Sequence, residues 1–264
     1  MANLYTDYNG ASKTIAASAT ITFTGTDMPG SGVVAYHLYF TGAGNTFANI
    51  TRIRVKANSQ TIWDFTPAAY RTFIERISRA NFAYSSSAAS FTIPFYLPDA
   101  KGDDRYVSQF PANAIPAIEV VFNGSAGAGT ALVGWTRCDL KPTLFPKFLG
   151  YVLNVGATIT NQTIPFSNDG EVRGYALNTT GLARAKLVLD DVVRHQVDGT
   201  FVVEDQQLEN PITISNPLFH KLHGTQPAPP GRSYLNIDTG GSWAGAGNEA
   251  FFWSFHPQGK AKAA

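Results

Sequence analysis

Along much of this chain apolar and polar residues alternate one for one, as strands with one buried face require. In Thr51-Arg-Ile-Arg-Val-Lys56, Ile53 and Val55 face one way and Arg52, Arg54 and Lys56 the other. Asn58-Ser59 then turns the chain, and Gln60 to Trp63 returns as a short partner strand. Ile21 and Phe23 alternate with threonines, and Val33 to Phe40 is a β-branched and aromatic run. One stretch has the helical period instead. Thr66 suits an N-cap and Pro67 the first helical position, while Tyr70, Phe73, Ile74 and Ile77 form one apolar stripe. Glu75 and Arg79 pair along the helix and Asn81 closes it, so a helix is predicted to cap the open end of a β-sandwich.

The pattern occurs twice. Ala126-Gly-Ala-Gly-Thr-Ala-Leu-Val-Gly-Trp135 follows the apolar strand Ile118 to Phe122, and Ala244-Gly-Ala-Gly-Asn-Glu-Ala-Phe-Phe-Trp253 follows Tyr234 to Ile237. Ser125 and Ser242 stand just upstream of the two copies. Ile53-Arg-Val-Lys-Ala-Asn-Ser-Gln-Thr-Ile-Trp-Asp64 likewise matches Ala185-Lys-Leu-Val-Leu-Asp-Asp-Val-Val-Arg-His-Gln196 as strand, tight turn and return strand. A helix-compatible stretch, Phe201 to Leu208, follows the second of these. Two correspondences in the same order argue for a duplicated domain. The expected fold class is all-β: two tandem eight-stranded jelly-roll β-sandwiches, residues 1–140 and 141–264, with short helices in loops. The boundary falls near Arg137 to Gly156, where Pro142 and Pro146 argue against continuous helix or central strand. Ala11 to Ala19 and Gln258 to Ala264 read as mobile or partner-ordered tails.

Composition sharpens this picture. Charged residues make up only 15% of the 264, and the formal net charge is +1, so no polyanion-binding surface is indicated. A surface so poor in charge suits a protein packed against copies of itself. The one cysteine, Cys138, excludes an intramolecular disulfide and reads as a small buried hydrophobe. The opening residues lack the basic and apolar regions of a signal peptide, and no apolar run is long enough to span a membrane as a helix. The four Asn-x-Ser/Thr matches at Asn49, Asn123, Asn161 and Asn178 are expected by chance in a Thr-rich β-protein.

Candidate chemistry is sparse. His220 and His223 lie three apart without the Glu of a metalloprotease motif, and His37 and His195 sit inside strand patterns, where packing explains them better than catalysis. Gly240-Gly-Ser-Trp-Ala244 approaches a nucleophile elbow, but its flanks read as two strands rather than strand and helix. Asp103-Asp104 and Asp190-Asp191 are acidic pairs in turns. Such oxygens hold Ca²⁺ at some subunit contacts, yet two carboxylates are too few for a complete site, so solvated turn charges are the leading reading. No other cofactor and no catalytic residue is expected. The chain has neither a phosphate-binding glycine loop nor a basic stripe interleaved with aromatics, so direct contact with nucleic acid is not expected either.

With its strand-turn-strand unit Ile50 to Trp63 followed by a helix, and the counterpart Ala185 to Leu208, the chain resembles the double jelly-roll major capsid proteins of membrane-containing icosahedral double-stranded DNA viruses. Corticovirus-like phage coat proteins are similar in length. The resemblance implies a non-enzymatic coat protein of the virion, synthesised in the host cytoplasm and assembling as a pseudo-hexameric homotrimer. It further implies neighbouring capsomers, penton and minor membrane proteins, and an internal lipid membrane as partners. A second reading is a phage receptor-binding or carbohydrate-binding sandwich, with Trp63, Trp135, Trp243 or Trp253 stacking on sugars. A duplicated cupin-type enzyme would need clustered His and Glu ligands on strands, and no such His-x-His pattern occurs.

Overall fold

A computed structural model describes residues 2–42, 45–66, 89–96, 102–152, 161–166, 171–178, 182–198, 218–239 and 249–258. The helix predicted from Thr66 onward, the stretch Phe201 to Leu208 and the second Ala-Gly-Ala-Gly connection lie outside these residues. The chain divides into two compact units. One comprises Met1–Lys147 together with Pro257–Ala264, the other Phe148–His256.

Eight strands belong to the first part of the chain: β1 (Leu4–Ile15), β2 (Thr20–Phe23), β3 (Val33–Phe40), β4 (Ile50–Ala57), β5 (Gln60–Phe65), β6 (Ser90–Pro94), β7 (Pro116–Phe122) and β8 (Gly129–Cys138). They form two sets of hydrogen-bonded neighbours, β1-β8-β3-β6 and β2-β7-β4-β5. Eight more follow: β9 (Leu144–Val152), β10 (Gln162–Pro165), β11 (Glu171–Asn178), β12 (Leu182–Leu189), β13 (Val192–Asp198), β14 (Leu218–Pro227), β15 (Tyr234–Thr239) and β16 (Glu249–Pro257). Their neighbour orders are β9-β16-β11-β14 and β10-β15-β12-β13. Counted within each half, both orders read first-eighth-third-sixth and second-seventh-fourth-fifth. Each half is therefore a complete eight-stranded jelly roll, and the duplication expected from the sequence is present strand for strand.

The hairpins β4–β5 and β12–β13 match in finer detail. Asn58-Ser59 and Asp190-Asp191 all adopt positive φ, between 49° and 70°, as a two-residue hairpin turn requires. Each hairpin also breaks register at the same place, between Val55 and Lys56 in one and between Leu187 and Val188 in the other. The connection from β7 to β8 shows why its small residues are needed. Buried Asn45 donates its amide to the carbonyls of Thr41 and Gly127, both at 3.1 Å, and accepts the Gly127 N–H at 3.0 Å. A Cβ on Gly129 would stand 2.1 Å from the Thr41 carbonyl, so the close approach excludes any side chain there.

In the first unit Ile53, Val55 and Ala57 are buried as the alternation predicts, together with Tyr36, Phe40, Phe95, Phe110 and Phe122. Tyr36, Phe95 and Phe110 meet edge to face with ring centroids 5.5–5.8 Å apart. Phe40 on β3 and Phe122 on β7 meet at 5.6 Å, joining the two sheets across the core. The polar side of β4 forms an ion-pair chain in which Arg52 and Arg54 hold Asp64 while Arg54 and Lys56 hold Glu119. The second unit buries Tyr175, Leu177, Ala185, Leu187, Leu235 and Ile237 without measurable exposure. Phe166 and Phe252 pack there at 4.2 Å.

Two expectations need correction. Ala11 to Ile15 is not a loose tail but the end of β1, paired with β8 through Ile15↔Gly129. Pro146 lies inside β9 and is buried. A strand residue directs its N–H and C=O toward one neighbour only, so a proline is tolerated wherever that particular N–H is not needed. Cys138 is a buried free thiol, as expected.

Candidate assembly surface

The sheet β1-β8-β3-β6 turns a face outward on which polar and apolar groups are sorted. A hydrogen-bonded row crosses all four strands. Thr6 Oγ1 lies 3.0 Å from Thr136 Oγ1, which lies 2.8 Å from His37 Nε2, while His37 Nδ1 lies 2.9 Å from Thr92 Oγ1. Strand alternation creates the row, because these four residues share one face and stand at paired or diagonal register positions. Burial lowers the His37 pKa below its ordinary value, favouring the neutral imidazole that donates from one nitrogen and accepts at the other.

Beside the row is an apolar notch of about 320 Å³, lined by Thr6, Asp7, Tyr8, His37, Tyr39, Leu132, Val133 and Gly134. Gly134 lines it without a side chain. On neighbouring strands it pairs with Tyr8 and with His37, and a Cβ there would come within 3.1 Å of the Asp7 carbonyl. The tyrosines flanking it are largely open to solvent, Tyr8 by 67% and Tyr39 by 50%. Leu4 and Tyr5 on β1 are exposed as well, as are Val192 and Val193 on β13. Aromatic side chains with one apolar face and one polar end suit association surfaces. Sequence reasoning missed this surface. Its available signal was the group Leu4, Tyr5 and Tyr8 in a segment whose alternation does not mark a buried face.

The acidic pairs have partners within the chain. Asp103 and Asp104 lie in a 3₁₀ helix, Gly102–Val107, where the Asp103 carboxylate accepts the Ala2 N–H at 3.0 Å. That bond leads in lowering the Asp103 pKa. Asp190 and Asp191 hold the Arg232 guanidinium at 3.1 and 2.7 Å. The Asp191 hydrogen bond, followed by the charges of both aspartates, raises the Arg232 pKa. Each acidic pair belongs to a different unit. Among the described residues no group of three or more His, Cys, Asp or Glu is placed to hold a metal ion.

Trp63 and Trp253 are buried in strands, and Trp135 on β8 is half-buried. Trp63 and Trp253 are core residues rather than stacking platforms. Trp243, with the Gly240 to Ala244 turn, lies outside the described residues. His195 accepts or donates a 2.7 Å hydrogen bond with the Tyr175 hydroxyl, a packing role like that of Trp63 at the equivalent position. His220 and His223 both fall on β14.

Two jelly rolls in tandem define a double jelly-roll fold, and the solved structures similar to this chain share it. The major capsid protein of bacteriophage PM2 is 12% identical, with a TM-score of 0.68 and 97% of each chain covered. The STIV MCP is 11% identical, also at 0.68, with 99% of each chain covered. A chain of the PBCV-1 virus capsid is 10% identical at 0.54, with 97% of this chain and 94% of that one covered. At these identities the likeness is one of fold. No protein-family model matches the chain, and no curated protein matches its sequence.

Proposed function

We propose that this protein is a non-enzymatic major capsid protein of a virion shell, assembling as homotrimers of pseudo-hexagonal outline. One observation carries the reading: two complete jelly rolls of identical strand order fill nearly the whole chain, the arrangement shared with the major capsid protein of PM2. Three chains of two similar domains approximate a hexagon, which tiles a surface with few kinds of contact. Low charge and exposed tyrosines suit such packing. Neighbouring capsomers, penton proteins, minor membrane proteins and an internal lipid membrane are the partners this reading supplies. Synthesis in the host cytoplasm accords with the free, buried Cys138. The test is light scattering on the purified chain followed by electron microscopy. A particle of three chains with hexagonal outline is expected, and a chain that stays monomeric at every concentration overturns the proposal.

A further inference from the structure

We propose that the Val192–Val193 end of β13 in one copy of the chain seats against the β1 edge of a second copy. This inference rests on the capsomer reading and names the surface through which the copies meet.

Both strands end their sheets: β1 lies outside β8, and β13 outside β12. An unpaired strand edge presents a row of N–H and C=O groups that invites another chain, and proteins usually blunt such edges with proline, charge or a short strand. β1 runs for 12 residues without a proline and exposes Leu4, Tyr5 and Tyr8 by 46, 61 and 67%. On β13, Val192 and Val193 are each 48% exposed. Of the large hydrophobic side chains exposed among the described residues, only Ile115 lies away from these two edges and the notch beside β1. Apolar exposure gathered in this way marks association surfaces.

Charge selects the pairing. Asp7 lies between Tyr5 and Tyr8 and lines the notch, and it has no ion-pair partner among the described residues. Arg194, next to Val193, is likewise exposed and unpaired among them. An acid on one edge and a base on the other favour contact between the two kinds of edge over contact of either with itself. Because every copy carries one edge of each kind, the contact is head-to-tail, and a rotation of one third of a turn between copies closes it into a ring of three. On the equivalent strand β5 the register counterparts of Val192 and Val193 are the polar Gln60 and Thr61, so the apolar exposure is peculiar to β13.

The test uses the full chain, with mass measured by light scattering behind size-exclusion chromatography. Wild type is expected at three times the 28.4 kDa chain mass. Val193→Asp and Tyr8→Asp, both at exposed positions, are expected to give folded monomers whose far-ultraviolet circular dichroism matches wild type. Asp7→Arg and Arg194→Asp are each expected to weaken association about tenfold at low salt, and the double exchange to restore it. If wild type is trimeric and all the single variants remain so, the edge pairing is overturned while the capsomer reading stands, and the notch belongs to another occupant. If wild type is monomeric, both fall.

Discussion

In β4–β5 the turn residues Asn58 and Ser59 sit at φ of 49° and 70°, and in β12–β13 Asp190 and Asp191 sit at 52° and 60°. The strand pairings run in step through the same register break. Their return strands nevertheless have opposite fates. β5 buries Ile62, Trp63 and Phe65, whereas β13 leaves Val192, Val193 and Arg194 exposed and buries only Val197. Turn chemistry and alternation specify a hairpin locally, but they leave open what covers it. The exposed copy is the one proposed to meet a second chain.

The largest effect expected is at the equivalent pair Trp63 and His195. Trp63 packs on Phe65 and Phe95 at 5.9 and 5.6 Å, so Trp63→Ala should cost about 3–5 kcal/mol in chemical denaturation. His195→Ala removes the hydrogen bond to the hydroxyl of buried Tyr175 and should cost about 0.5–1.5 kcal/mol. Equal costs would break the contrast between a covered and an uncovered return strand.

Acid should act on the first unit through His37. Its folded pKa is below the ordinary value of 6.5, so the unfolded chain binds the proton more readily. Stability should therefore be lost as pH falls from 6.5 toward the folded pKa, and no further loss from this group should follow below it. His37→Gln should flatten that part of a plot of melting temperature against pH.

The turns offer a smaller test. Alanine at Asn58 or Asp190 must hold a left-handed backbone and should cost about 1 kcal/mol more than glycine at the same position. Asn58→Ala should be the worse of the two, because Asn58 Oδ1 also accepts the Ile115 N–H at 2.8 Å. Thermal melts of the four variants would show whether the hairpins remain equivalent energetically. Smallest of all, EDTA should leave the melting temperature of the assembled protein unchanged, since Arg232 already serves Asp190 and Asp191.

Much of the fold was legible because its signals are short-ranged. The alternation in Thr51 to Lys56, the Asn58-Ser59 turn and the first Ala-Gly-Ala-Gly connection each lie within a dozen residues. β1 was not legible. Its Ala/Ser-rich end becomes a strand only by pairing with β8, more than a hundred positions away in the chain. The Asp190-Asp191 pair reads in the sequence as solvated turn charges because Arg232, its counter-charge, is distant along the chain. The notch was hidden for the same reason: Tyr8, Gly134 and Tyr39 come from three strands that only the sheet order makes neighbours.

By itself, then, the sequence determined the strand period, the turns and the fact of duplication, all consequences of local backbone preference and side-chain alternation. Tertiary structure decided which equivalent strands are buried and which remain open. That choice depends on register and contacts between distant segments, and burial of the same hairpin differs with what lies beside it.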